Sequence, residues 1–166
     1  MYIRESGDGL KNIKQAIAFM KSNKVYVGIP EKNSDRGGKM TNVQLAYIHS
    51  NGSPKMHIPP RPFLEPGVED AREAIAEEMG EAALAASEGD FGAAMAHLDG
   101  AGQEGENGVK LRFGTGAANA PITVHGGWMM NPVSHKPFHV KGKGSSAPLI
   151  DTGALRQSVT HVIESK

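Results

Sequence analysis

Between Ile58 and Leu64 the chain reads Ile58-Pro59-Pro60-Arg61-Pro62-Phe63-Leu64, and three prolines within four positions leave it little conformational choice. Each proline lacks an N–H donor, holds φ at about −65° and pushes the preceding residue toward extended geometry, which forbids a helix. The segment is expected to be a rigid extended strap that presents Phe63 and Leu64 to a core and turns Arg61 outward. Other elements must form on either side of it.

Upstream, Leu10, Ile13, Ile17 and Met20 recur at spacings of three and four with Lys11, Lys14 and Gln15 between them, which predicts an amphipathic helix ending near Ser22-Asn23. Val25, Tyr26, Val27, Gly28 and Ile29, closed by Pro30, predict a strand from Lys24. Residues 31–39 are polar and glycine-rich, an exposed loop with nothing to pack. Thr41 followed by Gln44 has the form of a capping box, so a short helix is expected to about His49 with Val43, Ala46 and Tyr47 on its buried side. Asn51-Gly52-Ser53-Pro54 stops it.

Downstream, Pro66 suits a first helical turn, and Glu65, Glu69 and Asp70 place negative charge at the positive end of the helix dipole. A long helix is expected from Pro66 to about Ser87, burying Val68, Ala71, Ile75, Met79, Ala82 and Ala86, with Gly80 costing about 1 kcal/mol relative to Ala. Asp90 is the expected N-cap of a further helix carrying Met95 and Leu98 inward, and Gly100, Gly102 and Gly105 leave its continuation to Phe113 open. Residues 114–120 read as a flexible linker and Ile122-Thr123-Val124 as a short strand. Residues 126–147, Gly-rich and holding the only Trp, read as a long exposed arm or hairpin that becomes ordered against a partner. Pro148 to Gly153 turns into Ala154-Leu155-Arg156, and Ser158 to Ile163 reads as a terminal strand. The expected fold class is α+β: one domain over residues 1–166, with a small, mostly antiparallel sheet packed against a long helix and shorter helices.

The absence of cysteine excludes disulfide scaffolds, thiol nucleophiles and Cys-ligated metals. No apolar run approaches the roughly 20 residues needed to span a bilayer, and the N-terminus lacks the order of a signal peptide, so a soluble protein made in a cytoplasm and without a membrane partner is expected. Net charge is zero but polarised: from Glu65 to Glu106 there are 12 acidic residues and one basic residue, Arg72. That asymmetry suits a solvated acidic helix face, head-to-tail steering of identical subunits, or a basic surface approaching nucleic acid.

Candidate chemistry is sparse. His135 and His139 stand four apart, but Pro137 between them forbids the helix that would join them on one zinc-binding face, so with His125 they read as solvated loop histidines. Gly114-Thr115-Gly116-Ala117-Ala118-Asn119 lacks the flanking strand and helix of a phosphate-binding loop. Glu69, Glu73 and Glu77 are spaced for carboxylate chemistry yet lie opposite an apolar stripe, the place of a solvated face. No catalytic constellation, cofactor site or small-molecule substrate site emerges. Lys136, Lys141 and Lys143 alternate with Trp128 and Phe138, a pattern able to touch phosphates and stack bases, though three charges are few for duplex binding.

Four motifs in order carry a resemblance: Val25-Tyr26-Val27-Gly28-Ile29-Pro30, then Leu45-Ala46-Tyr47-Ile48-His49-Ser50-Asn51-Gly52, the Pro-Arg-Pro-Phe strap, and Pro148-Leu149-Ile150-Asp151-Thr152-Gly153-Ala154-Leu155-Arg156-Gln157-Ser158. In this order they resemble the virion-morphogenesis, or tail-completion, proteins of tailed bacteriophages. Ser50-Asn51 stands where that family usually carries an acidic residue, and the stretch from Trp128 to Ser146 has no counterpart in the pattern.

The resemblance implies a non-enzymatic subunit at the head-tail junction of the virion, assembled in the host cytoplasm into a ring of six. Its partners would be itself, the connector or adaptor proteins, the tail tube or sheath proteins, and passing DNA without sequence specificity. Arg61, Trp128, Met129, Met130, Phe138, Lys141 and Lys143 are the candidate interface residues. Two readings from other classes stand beside it: a small nucleic-acid-binding protein using its basic terminal segments, and a metal-dependent hydrolase using the histidines.

Overall fold

Helix α5 (Phe91–Arg112) organises the fold, and it runs unbroken despite five glycines. In the computed structural model, which describes residues 7–35, 37, 40–54, 58–113, 125–131, 134–144, 146 and 153–166, Asp90 caps this helix by accepting from the Ala93 N–H at 2.9 Å. Each interior glycine costs about 1 kcal/mol relative to Ala. Close packing offsets that cost. A Cβ at Gly105 would stand 2.8 Å from Val27, one at Gly102 would overlap the His161 ring, and one at Gly108 would collide with the carbonyl of Gly67. These three glycines recur every third residue on one broad side of α5, where the sheet and the next helix settle against it.

The helix α1 (Gly7–Ser22) leads directly into β1 (Asn23–Gly28), as the periodicity predicts. Strand β1 pairs antiparallel with the C-terminal strand β4 (Thr160–Ser165), which places Val27 opposite His161. Both members of that pair press on α5. The ladder is closed at its far end by the Ser165 hydroxyl, which donates to Asn23 Oδ1 at 2.6 Å. A second two-stranded antiparallel sheet, β2 (Gly126–Met130) with β3 (Pro137–Lys141), is separate from it. The α+β class is therefore correct, with two small sheets in place of one. The linker reading of residues 114–120 and the strand reading of Ile122-Thr123-Val124 fall outside the described residues.

Helix α2 (Asn42–Asn51) carries both halves of the capping box: the Gln44 N–H donates to Thr41 Oγ1 at 3.2 Å and the Thr41 N–H to Gln44 Oε1 at 3.0 Å. The strap after it is extended, pinned by the Arg61 N–H donating to His49 O at 2.6 Å and by paired backbone bonds between Ser53 and Ile58. Phe63 is 1% exposed and packs on Phe113 with ring centroids 4.6 Å apart. Around that pair lie Ala46, Val109, Leu155 and Val159, the last two delivered by helix α6 (Ala154–Ser158) and the residue that follows it. A smaller cluster joins Ala16 to Ala86 and Ala94.

Four expectations are corrected. The long helix divides at Ala71 into α3 (Leu64–Asp70) and α4 (Arg72–Glu88), because the Gly67–Gly108 contact draws α3 onto α5 and the chain redirects at Ala71, where ψ is 4°. Val43 and Tyr47 are exposed rather than buried, since α2 turns Asn42 and Ala46 inward. The apolar stripe of α1 is likewise uncovered at Leu10, Ile13 and Ile17, and Met79 of α4 with it, because α1 meets the rest of the fold mainly through Ala16 and Phe19. The loop after β1 does pack: Glu31–Asn33 forms a 3-10 turn, and Ser34 is buried with its carbonyl accepting from the Asn42 N–H at 2.7 Å.

Candidate interaction surface

The β2–β3 hairpin is made by a glycine at one end and an asparagine at the other. Gly126 adopts φ 80°, and a Cβ there would lie 2.6 Å from the Val140 carbonyl, so only glycine starts β2 in this way. At the loop end, Asn131 Oδ1 accepts from the Ser134 N–H at 2.8 Å, its carbonyl accepts from the His135 N–H at 2.9 Å, and its N–H donates to Lys136 O at 2.9 Å. His135 takes the left-handed conformation with φ 52° that this turn needs.

Strand register then decides which side chains share a face. Trp128 stands opposite His139 and Met130 opposite Pro137 on one face, while Met129 stands opposite Phe138 on the other. Trp128 and His139 meet edge to face at 5.3 Å. Trp128 is 72% exposed and Met130 59%, and Met129 and Phe138 are also exposed, so both faces of the hairpin show large apolar groups to solvent. Among the described elements, the strands of the hairpin pack substantially only on each other.

Five of the candidate interface residues thus come together: Trp128, Met129, Met130, Phe138 and Lys141, with half-buried Lys143 just beyond the end of β3. Arg61 belongs to a different element. It lies on the strap and is half-buried, not turned fully outward, because the strap is held down on α2 by its backbone. Next to it, Ile29, Val43, Ala46, Tyr47, Pro62 and Leu64 line an open groove of about 400 Å³.

One polar cluster escaped the sequence. His161 on β4 donates from Nδ1 to Glu106 Oε2 at 2.9 Å and from Nε2 to Asp99 Oδ1 at 3.1 Å, both carboxylates lying on α5. The Thr160 hydroxyl adds a bond to Glu106 at 3.2 Å, and Lys110 pairs with the other Glu106 oxygen. Burial opposes charge on the imidazole, but the hydrogen bonds to Asp99 and Glu106 outweigh it and raise its pKa. The bond from His161, followed by that from Gln103, lowers Asp99. In Glu106 burial is outweighed by the Lys110 and His161 bonds, and the result is again lowered. Both ring nitrogens are engaged by carboxylates. The imidazolium acts as a staple between β4 and α5. Asp99 and Glu106 are seven apart, hence on one helix face, but nothing local announces a histidine 55 residues beyond Glu106 as their partner.

His125, His135 and His139 lie in or beside the hairpin as exposed side chains, and among the described residues no three His, Asp or Glu groups gather to hold a metal ion. Among those residues, too, no helix is long and apolar enough to cross a membrane. No protein-family model, curated protein or solved structure matches the chain.

Proposed function

We propose that this protein is a non-enzymatic structural subunit of a tailed-phage virion, forming an oligomeric ring at the head-tail junction that joins the tail to the capsid connector and lets DNA pass. The observation that carries this reading is the hairpin. A two-stranded hairpin standing alone is marginally stable in water, and this one exposes Trp128, Met129, Met130 and Phe138 on both faces. Burying such side chains is worth about 1.5 to 3 kcal/mol each, enough to offset much of the entropy lost on ordering them. A protein partner therefore suits this surface better than water does.

The motif order shared with tail-completion proteins supports the virion setting, and the polarised charge supports contacts between unlike faces of identical subunits. On this reading the connector or adaptor proteins and the tail tube or sheath proteins are the neighbours above and below a ring of six. Imaging of particles carrying a labelled copy, with light-scattering mass of the purified protein over a concentration series, tests it. A labelled ring at the neck is the expected result. A twofold dimer inside the particle, or tight salt-dependent binding to free duplex DNA by a protein absent from particles, overturns it.

A further inference from the structure

Two apolar surfaces of different shape lie on the same subunit, one bearing lysines and the other bordered on its α4 side by glutamates. The first is the hairpin, where residues 126–144 contain three lysines, Lys136, Lys141 and Lys143, and no acidic residue. The second is a valley of about 380 Å³ between α1 and α4, walled by Ile13, Ile17, Met20 and Lys21 on one side and by Ala83 and Ser87 on the other. Ile13 and Ile17 are half exposed, and Leu84 beside the valley is 54% exposed.

The outer side of α4 is shaped for a close neighbour. Ala76, Gly80 and Leu84 follow one another at spacings of four along the helix, and Glu73, Glu77 and Glu81 run beside them as an exposed acidic ridge. Gly80 has nothing within 4 Å of where a Cβ would stand, whereas Gly102, Gly105 and Gly108 of α5 each face a packed neighbour. The helix thus carries the cost of a glycine that no contact among the described residues uses.

We infer that the hairpin of one subunit docks into the α1–α4 valley of the next copy, its apolar side chains seated between the helices and its lysines along the glutamate ridge. This rests on the reading of the chain as a ring subunit and names the contact that would build the ring. Valley against valley would leave two hairpins uncovered; hairpin into valley covers the valley and one face of the hairpin with a single repeated contact. Such a contact is heterologous, and it closes into a ring when the rotation permits.

Because the chain has no cysteine, single cysteines report contacts without background. Met130→Cys protein and Ala83→Cys protein are mixed over a concentration series and treated with a short bismaleimide. The expected result is a cross-linked pair in the mixture and none in either variant alone. Separately, Lys136→Glu with Lys141→Glu weakens self-association about tenfold or more, and Glu77→Lys with Glu81→Lys restores it in a mixture of the two variants, as close pairs of opposite charge require. Absence of the cross-link at every concentration overturns the inference, as does Ala83→Cys joining to itself. If mass still shows a ring without the cross-link, the ring reading stands and this contact is wrong. Protection of the hairpin by a duplex oligonucleotide, with association unchanged in the lysine variant, also overturns it.

Discussion

Gly102 lies directly beneath the imidazole of His161, so that a Cβ built on it would stand 2.7 Å from the ring carbon Cγ and 3.0 Å from the His161 Cβ. This places the C-terminal strand flush on the central helix. Replacing Gly102 by Ala gains about 1 kcal/mol of helix propensity but forces β4 and its staple outward, and overpacking of that kind costs about 1 to 3 kcal/mol. The loss of the His161 hydrogen bonds adds to the damage. Gly102→Ala should therefore lower the urea midpoint, whereas Gly80→Ala, with open space around it, should raise the stability of the free subunit by about 1 kcal/mol. Equal shifts in the two variants would contradict the packing account.

The staple makes stability depend on pH in a defined sense. His161, ordinarily near 6.5, is raised, so its contribution is complete below that value and is lost as pH climbs through the raised folded one. Asp99 and Glu106, ordinarily 3.8 and 4.5, are lowered, so their contribution is present above those values and disappears as pH falls through the lowered ones. Denaturation midpoints should peak between about pH 4.5 and 6.5 and decline on either side. His161→Gln should flatten the alkaline limb of that profile. An unchanged limb would show that the imidazole is neutral in the folded protein.

What the sequence made legible follows from the range of the forces involved. The Thr41–Gln44 box, the Asp90 cap and the proline strap act over a few residues, and each is found where it was expected. The break at Ala71 was hidden because it depends on Gly67 meeting Gly108, a contact between helices that no local pattern encodes. The same holds for His161, whose partners lie on another element. The hairpin's exposed apolar side chains were anticipated from Trp128 and the glycines around it. The uncovered stripe on α1 was not, since an apolar stripe at helical spacing looks the same whether its partner is the same chain or another one.

Phe63 anchors the strap and one half of the main core. Truncation to Ala would leave a void against Phe113, Leu155 and Val159, and removal of a buried aromatic ring costs about 3 to 5 kcal/mol. That is a large share of the 5 to 15 kcal/mol typical of a domain. The isolated Phe63→Ala subunit should show a much lower denaturation midpoint. An unchanged midpoint with failed particle assembly would instead assign Phe63 to an interface.

The hairpin should behave in the opposite way. Its strands bury little against the rest of the described fold, so Trp128→Ala or Met130→Ala should leave the midpoint of the free subunit within about 0.5 kcal/mol of wild type. Assembly should suffer, because those side chains would be lost from the contact that orders them. Backbone amides of residues 126–141 should exchange quickly in the free subunit, since two strands with solvent on both faces open at little cost, and should become protected in the assembled particle. Strong protection of these amides in an isolated monomer would mean that the hairpin is already supported within its own subunit. In that case its exposed Trp128, Met129, Met130 and Phe138 would not be waiting for a neighbour, and deletion of residues 126–141 should then destabilise the monomer instead of the assembly.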